Sequence, residues 1–440
     1  MSHYGTLIAV LTYGMEQRRF KDIVAFKWNQ GAPLAFHARN LEVAEISEEM
    51  WEVMEKQILT SDVSEELQNW EQENNPEVKS GKLSPGIRSL TINVTQICNL
   101  KCTYCAAGGD GTYGSPQTKI NVEKTLPQLK FFIERLPDNS RFKITFLGGE
   151  PLLYPEGIQE ISNYVRLMTA GRNIQAGFSI VTNGTLINEK TLQVLKNIKA
   201  NVTVSVDGPA ESNDKARPMK NGAGSTALVV EGLRQLVAAK ESLGLLTAHG
   251  VFNRENLNVI AAYEFYRSLN VDRYEFTYSV EENDDASNKE FVAQMNEIAA
   301  RAYAAGGESE LRKIGLFDQY FSALDNQQQT ENFCGAGKSF LMVDAKNNLF
   351  TCPWEVGNKA EQVGQGSELN EERLKGYEAP LIEQNSCQNC WARFMCGGGC
   401  MFIHKQATGN KHQKDGQFCF RTRSLIGTAL LYYKKSRVSC

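Results

Sequence analysis

The central part of the chain alternates short apolar segments with segments of helical periodicity. Runs rich in Val, Ile, Phe and Tyr cover residues 90–95, 144–147, 178–182, 202–206, 246–252 and 274–278. Between them, apolar residues recur at helical spacing over residues 122–135, 156–168, 188–198, 226–242 and 257–269. This alternation predicts βαβ units, and therefore a parallel sheet with right-handed crossovers. Ligands bind at the carboxyl ends of the strands in such folds, so motifs at those ends indicate function.

The first 80 residues follow a different pattern. Short β-like runs at residues 6–11, 23–27 and 34–36 precede a helical segment that begins after Ser47, whose hydroxyl is a candidate helix cap. Glu48 and Glu49 place negative charge in the first turn, where the helix dipole favours it. Residues 61–77 carry six acidic side chains and no basic one, which is typical of a solvated helix followed by a linker. The sequence predicts a small N-terminal α+β domain that ends within residues 79–85.

The pattern changes again beyond residue 280. A polar loop over residues 281–285 precedes a predicted helix over residues 288–305, with Gly306 and Gly307 as its stop. From Cys334 onward the chain is rich in Cys, Gly and turn residues. Such a segment buries little apolar surface on its own, so it needs cross-links or metal centres. These changes predict three domains, over residues 1–80, 81–310 and 311–440.

Composition and charge narrow the class of protein. The 440 residues carry 47 Lys and Arg against 51 Asp and Glu, so no excess of positive charge favours a nucleic acid or an anionic membrane as partner. The first residues lack a basic region, and the apolar run at 7–11 is too short for a signal core or a membrane span. We therefore expect a cytoplasmic protein. The 11 cysteines are an odd number, and their short gaps suit metal centres better than disulfides in a reducing compartment.

Three cysteines form a group directly after the first strand of the alternating region. Cys98, Cys102 and Cys105 stand in a C-x3-C-x2-C pattern, which suits a structural zinc that awaits a fourth ligand, or a cubane iron–sulfur cluster with one open iron. The next cysteine is Cys334 and the next histidine is His249, so no fourth ligand lies nearby in sequence. The open-iron interpretation is therefore preferred.

This triplet, with an aromatic residue before its last cysteine, resembles the radical S-adenosylmethionine (SAM) superfamily. The Gly148-Gly149-Glu150-Pro151 segment after the second strand is similar to the family's GGEP motif. The run from Asn213 to Arg217 is similar to its HDxxR motif, with Asn where the family usually has His. Each motif alone has a simpler explanation, as a zinc knuckle, a turn or a helix cap, but their order at successive strand ends favours the family.

The resemblance implies a partial (β/α)6 barrel that binds SAM and a radical-generating 4Fe-4S cluster on Cys98, Cys102 and Cys105. The paired glycines would let the backbone approach the cofactor closely. The residues that the resemblance implies as SAM contacts are Tyr104, Gly148, Gly149, Glu150, Asn183, Ser205, Asp207 and Arg217.

A second cysteine group occupies the C-terminal region. Its C-x2-C-x5-C-x3-C core, followed by one more cysteine, resembles the SPASM domain, which carries auxiliary 4Fe-4S clusters in radical SAM enzymes; a zinc ribbon is the alternative. Where the family usually has Gly, the chain has Asn347, which also tolerates a left-handed turn. An eighth ligand would be Cys440 or a substrate thiolate, and the simpler interpretation of Cys440 is a free thiol. The resemblance implies an outer cluster on Cys387, Cys390, Cys396 and Cys419, and an inner one on Cys334, Cys352 and Cys400.

The N-terminal region resembles, more weakly, the PqqD-like element that binds leader peptides. Residues 34–47 and the helix after them carry this likeness, and a packing or dimerisation subdomain is the alternative. The histidines are isolated in sequence, so we interpret them as structural residues; those considered are His37, His249, His404 and His412.

The predicted fold class is α/β. It combines a partial (β/α)6 TIM-like barrel, a winged-helix-like N-terminal α+β domain and a C-terminal iron–sulfur SPASM domain. The implied function is a radical SAM maturase that binds a leader-bearing ribosomal precursor peptide. A 5'-deoxyadenosyl radical would abstract a hydrogen to install a thioether or carbon–carbon crosslink. Three 4Fe-4S clusters, SAM and an electron donor such as flavodoxin or ferredoxin are implied. The alternatives are an anaerobic sulfatase-maturing enzyme, which forms formylglycine, and a non-catalytic iron–sulfur peptide-binding protein.

Overall fold

The computed structural model describes residues 16–28, 31–59, 64–83, 86–105, 118–279 and 284–438. The predicted strand at 6–11 and Cys440 lie outside these residues. The chain forms two compact units. The terminal unit consists of Met1–Lys82, Asn283–Cys334 and Ala379–Cys440, and the central unit consists of Leu83–Glu282 and Gly335–Glu378. The division into three domains at residues 80 and 310 stays a prediction.

The strands are short and most are bounded by turns. In chain order they are β1 Glu16–Phe20, β2 Ile23–Lys27, β3 Leu34–His37, β4 Glu42–Glu45, β5 Ser89–Asn93, β6 Arg141–Leu147, β7 Gln175–Thr182, β8 Asn201–Ser205, β9 Leu246–Phe252, β10 Arg273–Tyr278, β11 Phe340–Val343, β12 Asn348–Phe350, β13 Gln362–Gln365 and β14 Glu368–Leu369.

The helices range from single turns to more than twenty residues. In chain order they are α1 Glu48–Leu59, α2 Glu65–Gln72, α3 Val122–Glu134, α4 Pro155–Ala170, α5 Glu189–Ile198, α6 Ala210–Ala216, α7 Thr226–Ala238, α8 Val259–Ser268, α9 Asp285–Leu311, α10 Gly315–Asp325, α11 Glu371–Lys375, α12 Leu381–Gln384, α13 Arg393–Cys396, α14 Met401–Thr408 and α15 Gly416–Val438. Among the helices that the structure describes, none combines the length and the apolar character that a membrane span requires.

A parallel sheet organises the central unit. Strands β5 to β10 lie side by side in sequence order, each parallel to the next. The prediction of a parallel βαβ sheet is thereby confirmed, because each predicted strand and intervening helix is present within a few residues of its expected bounds. Along β9, Ala248 and Phe252 are fully buried, whereas His249 and Val251 are partly exposed. One face of the sheet therefore packs in the core and the other is available to a site.

Four strands of the central unit were not predicted from the sequence. Strand β11 adds to the sheet in parallel beside β5, and β12 to β14 continue it in antiparallel order. The turn between β11 and β12 contains Asn347 with φ of 62°, which confirms that Asn adopts the left-handed conformation here. Its side-chain oxygen accepts a hydrogen bond from the hydroxyl of Thr125 at 2.8 Å. The C-terminal part of the chain thus completes the central sheet.

The terminal unit begins with an antiparallel sheet of β1 to β4, in that order. Helix α1 starts after Ser47, whose hydroxyl accepts from the amide of Met50 at 3.1 Å, so the predicted cap is confirmed. Trp51 and Leu67 are buried against apolar residues of β2 and β3. The N-terminal region is therefore an α+β element with four described strands, whereas the sequence predicted three, one of them outside the described residues.

Helix α9 is longer than predicted. It begins at Asp285 because the carboxylate of Asp284 caps it, accepting from the amide of Ser287 at 2.7 Å. Gly306 and Gly307 have non-helical backbone angles, so the predicted stop is present as a break, after which one more turn follows. Helix α9 packs on α15 within the terminal unit.

Candidate functional site

A cavity of about 270 Å³ lies at the carboxyl ends of the parallel strands in the central unit. The thiols of Cys98, Cys102 and Cys105 line it. Seven of the eight predicted SAM contacts line the same cavity, while the fully buried Asp207 is not among the lining residues. The seven are Tyr104, Gly148, Gly149, Glu150, Asn183, Ser205 and Arg217.

The two glycines of the GGEP segment lie against residues 93–98, which lead into the cysteine loop. A Cβ atom on Gly149 would lie 2.0 Å from the carbonyl oxygen of Ile97 and 2.8 Å from the amide nitrogen of Cys98. The amides of Gly149 and Glu150 donate to the carbonyls of Thr95 and Ile97, both at 2.7 Å. The missing side chains therefore admit the cysteine loop, beyond the predicted approach to a cofactor.

Glu150 is a buried carboxylate held from three sides. It accepts hydrogen bonds from the amide of Leu152 at 3.0 Å, the hydroxyl of Thr182 at 2.7 Å and the amide of Asn183 at 2.7 Å. Burial raises the pKa of Glu150 to about 7, although these hydrogen bonds favour the charged form. A carboxylate has about four acceptor positions, so one remains for a donor on a ligand.

Asn183 links the end of β7 to the cysteine loop. Its side-chain amide donates to Asn99 Oδ1 at 2.8 Å and lies 3.8 Å from Cys98 Sγ. Its oxygen accepts from the hydroxyl of Thr185 at 2.6 Å. The side chain therefore orients the loop that carries the thiols, in addition to lining the cavity.

Asp207, Tyr104 and Arg217 form a buried charged group beside the cysteines. Asp207 accepts from the hydroxyl of Tyr104 at 2.5 Å and from the amide of Val251 at 3.0 Å. Arg217 Nε lies 3.1 Å from Asp207 Oδ1 in a buried ion pair. Arg217 Nη1 lies 3.8 Å from Cys102 Sγ. Asp207 therefore positions cavity residues rather than facing the cavity itself.

Asn213 replaces the family's usual histidine and has a structural role. Its side-chain oxygen accepts from the amide of Asp207 at 2.9 Å, and its nitrogen donates to the hydroxyl of Thr226 at 2.9 Å. Both ends of the amide are thus used to hold the turn that carries Asp207. The departure from the motif leaves Arg217 in the cavity wall.

His249 lines the cavity, which its isolated position in the sequence did not indicate. Its Nε2 lies 2.9 Å from the hydroxyl of Thr277 on the neighbouring strand β10. Burial, assisted by Arg217, lowers the pKa of His249 to about 4, so the ring is neutral at neutral pH. The overlooked signal is strand periodicity: His249 and Val251 alternate with buried residues along β9 and therefore share the cavity face.

His404 fits its structural interpretation. Its Nδ1 accepts from the amide of Asp415 at 3.2 Å, and its Nε2 lies 3.4 Å from the carbonyl oxygen of Gly398. Both ring nitrogens have protein partners, and burial lowers the pKa of His404. The ring supports the segment between two cysteines and is not free to act as a ligand.

The terminal unit contains a second cysteine-lined cavity, of about 250 Å³. We call it the outer cavity. Burial raises the pKa of Cys387 and of Cys396, and that of Cys419 to about 11. In the first cavity, burial raises the pKa of Cys98 to about 12. These thiols hold their protons at neutral pH, so binding of iron must release protons. The four cysteines that line the outer cavity are Cys387, Cys390, Cys396 and Cys419.

The remaining cysteines are divided between the two units. Cys334 and Cys400 belong to the terminal unit. Burial is the main cause of the raised pKa of Cys400, and the charge of Cys334 raises this pKa further. Cys352 belongs to the central unit. No three Cys, His, Asp or Glu side chains within the described ranges surround a single metal ion. In a cubane cluster each thiolate binds a different iron atom. The thiols of the two cavities are therefore better suited to such a cluster than to a single metal ion.

Three consecutive glycines shape the segment between Cys396 and Cys400. Gly397, Gly398 and Gly399 have φ of 72°, 92° and 84°, in the left-handed region that favours glycine. A Cβ atom on Gly398 would lie 2.8 Å from the carbonyl carbon of Leu381. The backbone of another segment therefore occupies the place of a side chain.

Replacing Gly398 by alanine is expected to destabilise the terminal unit by about 3 kcal/mol, since the left-handed backbone costs about 1–2 kcal/mol and the overlap adds about as much again. Gly409→Ala is the matched control, because Gly409 has φ of 80° but no atom within 4 Å of the added Cβ. It is expected to cost only about 1 kcal/mol. The thermal unfolding midpoint and the amount of bound iron are measured for both variants. Equal losses in the two variants would contradict the packing argument.

Comparison with known proteins agrees with this geometry. The family model described as the Radical SAM superfamily matches residues 92–263. An uncharacterized protein of Methanocaldococcus jannaschii is 35% identical over 310 residues, which cover 69% of this chain and 95% of the relative. The radical SAM cyclopropyl synthase TigE of Paramaledivibacter caminithermalis is 21% identical, with 88% of this chain and 83% of TigE covered. A cysteine-type anaerobic sulfatase-maturating enzyme of Clostridium novyi is 23% identical, with coverage of 75% and 91%.

Solved structures share the fold. Native anSMEcpe with bound AdoMet and the Kp18Cys peptide has a TM-score of 0.63 at 19% identity, covering 80% of this chain and 99% of that one. Streptococcus suis SuiB bound to the precursor peptide SuiA has a TM-score of 0.51 at 14% identity, covering 91% and 99%. The match to the family model and the 35% identical relative, together with the cysteine-lined cavity at the strand ends, establish that the chain is an enzyme of the radical SAM superfamily.

Proposed function

We propose that this enzyme is a peptide maturase that installs an intramolecular crosslink in a ribosomally made precursor peptide. One observation carries the proposal: three thiols share a cavity with the guanidinium of Arg217 and with the buried carboxylate of Glu150, which has an unused acceptor position. The solved structures of SuiB bound to the precursor peptide SuiA and of anSMEcpe bound to the Kp18Cys peptide support a peptide as substrate.

The residues of the first cavity fit SAM and an iron–sulfur cluster. Cys98, Cys102 and Cys105 would hold the cluster, and three thiolates leave one iron for SAM. The remaining acceptor position of Glu150 suits the amino group of SAM, and the guanidinium of Arg217, which lines the cavity, suits its carboxylate. When bound and reduced, the two cofactors would supply radical chemistry for the removal of a hydrogen atom from the substrate.

The other cavity residues position these groups and exclude water. Tyr104 and Asp207 fix Arg217, and Asn183 fixes the loop of Cys98. The apolar wall, which keeps a reactive intermediate from water, consists of Leu100, Leu147, Val181, Val251, Pro353 and Trp354.

The terminal unit would hold the outer auxiliary cluster and the leader. Four cysteines in one cavity suit a fully ligated outer 4Fe-4S cluster. The inner cluster would use Cys334, Cys352 and Cys400, with Cys440 or a substrate thiolate as the fourth ligand, which makes three clusters in all. β1 and β4 are the outer strands of the described N-terminal sheet, and a leader peptide would add to one of them as a further strand. Flavodoxin or ferredoxin would supply the electrons.

Glu150→Gln is expected to weaken SAM binding about tenfold at pH 8, because a hydrogen bond to a charged acceptor is lost. The pKa of Glu150 is about 7, so the carboxylate becomes protonated as the pH falls, and the advantage of the wild type should shrink towards pH 6. The dissociation constant of SAM is measured for both proteins at each pH. Titration of SAM itself affects both proteins equally, so it cancels in the ratio of the two constants. A wild-type advantage that is constant from pH 6 to 8 would contradict the assignment.

An anaerobic sulfatase-maturing activity is the second candidate, favoured by the likeness to anSMEcpe and to the Clostridium novyi enzyme. Mass spectrometry of a co-expressed precursor peptide separates the two. A crosslink removes two hydrogens per event, keeps sulfur and joins two residues in the fragmentation spectrum. Formylglycine forms on a single residue, with loss of sulfur when it comes from cysteine and loss of two hydrogens when it comes from serine.

Reductive cleavage of SAM tests the proposal as a whole. The reconstituted, reduced protein is incubated with SAM under anaerobic conditions, with and without the precursor peptide. We expect 5'-deoxyadenosine in both cases and more of it with peptide. Its absence in both would contradict the proposal.

A further inference from the structure

The wall of the outer cavity includes a residue from the opposite end of the sequence. Arg19 on strand β1 lines the cavity together with the four cysteines. Its Nη1 donates to the carbonyl of Asn389, which lies between Cys387 and Cys390, and its Nε donates to the carbonyl of Lys21 at 2.6 Å. The N-terminal sheet thus contacts the C-x2-C loop directly.

Aromatic and ionic contacts fix the same loop on the N-terminal sheet. Trp391 packs edge-on against Phe26 and Phe36, with ring centroids 5.2 and 6.3 Å apart. Arg393 donates to Asp22 Oδ1 at 2.7 Å and to the carbonyl of Cys390 at 3.1 Å. The side chain of Arg19 therefore stands on a rigid support beside the cavity.

Most of the charged residues that line the outer cavity are basic. Its basic residues are Arg19, Arg393, Lys414 and Arg423, and Asp415 is the one acidic residue among those that line it. Asp415 caps α15 by accepting from the amide of Phe418 at 2.8 Å. Asp22 pairs with Arg393 and Arg39. Both acceptors that the structure gives Arg19 are backbone carbonyls, so no carboxylate of the described residues is bonded to it.

A positive charge in this position affects electron transfer. An iron–sulfur cluster carries one more negative charge when it is reduced, and its potential depends on nearby charge and on hydrogen bonds. A fixed guanidinium stabilises the reduced form more than the oxidised form. Arginine keeps its charge at all ordinary pH values, so this effect does not depend on titration.

We propose that Arg19 is part of the outer iron–sulfur site, where its charge raises the reduction potential of the cluster. Arg19 is a positioning and tuning residue that acts from the N-terminal sheet. The inference rests on the outer cluster of the proposed function. It makes the N-terminal sheet a component of the redox site as well as the candidate leader-binding element.

The test compares Arg19→Gln with Lys21→Gln in the full-length protein, with Cys98, Cys102 and Cys105 replaced by alanine so that only auxiliary clusters contribute. Lys21 is exposed and does not line the cavity, so its replacement is a matched loss of one charge. The midpoint potentials are measured by a redox titration followed by electron paramagnetic resonance. In R19Q, the ratio of oxidised to reduced cluster at a given potential should rise about tenfold for one transition, which lowers its midpoint potential by about 59 mV for one electron. K21Q should shift it less than about twofold.

Further variants separate the possible outcomes. Arg19→Lys keeps the charge and should stay close to wild type, and a shift as large as that of R19Q would overturn the role of charge. If R19Q does not fold, Arg423→Gln removes a charge from the same wall and should shift the same transition in the same direction. Iron in the outer site with an unchanged midpoint in R19Q and R423Q overturns this inference alone. An outer site without iron in the parent protein overturns the proposed cluster as well.

Discussion

Replacing Cys102 by alanine is expected to lower the formation of 5'-deoxyadenosine from SAM by about a thousandfold or more. Cys102 is one of three thiols in the first cavity, so its loss leaves too few ligands for a cubane that keeps one iron open. It also removes the sulfur that lies 3.8 Å from the guanidinium of Arg217. The measurement is the rate of SAM cleavage under reducing, anaerobic conditions, together with bound iron.

Cys390→Ala is the matched control, because it removes one thiol from the outer cavity in the terminal unit. Each variant is expected to lose about four of the roughly twelve iron atoms that three clusters hold. Only C102A should lose SAM cleavage, whereas C390A should keep the cleavage and lose peptide product. If C390A abolished SAM cleavage as completely as C102A, the two cavities would not have the separate roles proposed for them.

Local patterns in the sequence were sufficient to predict the parallel sheet. Each strand of β5 to β10 is a short apolar run, and each helix between them has its own periodicity, so no long-range information was needed. The same holds for the cavity thiols, because Cys98, Cys102 and Cys105 share one loop at a strand end. A loop at the carboxyl end of a parallel strand lies beside the site, so its residues are close to it.

Contacts between distant segments could not be derived in the same way. The position of Asp207 behind Arg217 depends on how α6 turns back towards the cysteine loop. The hydrogen bond of His249 to Thr277 requires the register of β9 and β10. Strand β11 consists of a few residues and pairs with β5, which lies about 250 positions earlier, so no local pattern indicated it.

The N-terminal region is bound into the terminal unit, which affects how its role is tested. Phe26 and Phe36 cover Trp391, and Asp22 pairs with Arg393. Deleting the first 80 residues would therefore expose apolar surface and leave Arg393 unpaired beside the outer cavity. A loss of activity in such a deletion would not show that the region binds a leader, so point substitutions are the better test.

Asp22→Ala is expected to destabilise the terminal unit by about 3 kcal/mol. Asp22 pairs with Arg393 at 2.7 Å and with Arg39 at 2.9 Å, and the side chains of Asp22 and Arg393 are only 16% and 9% exposed. Removing one partner of a largely buried pair leaves a charge without compensation, which costs about 3–5 kcal/mol, and the partial exposure places this pair at the lower end. At about 2–4 °C per kcal/mol, the thermal midpoint of the terminal unit should fall by about 6–12 °C.

Two further variants define what the Asp22 result means. Lys27→Ala breaks the pair with Glu48 at 2.6 Å, whose side chains are 32% and 60% exposed, and should cost at most about 1 kcal/mol. Asp22→Asn keeps an acceptor for Arg393 and should fall between the two. Because Arg393 also donates to the carbonyl of Cys390, D22A should lose iron from the outer cavity before it loses iron from the first cavity. Equal loss from both cavities, or a midpoint as high as that of K27A, would mean that the N-terminal sheet does not support the outer site.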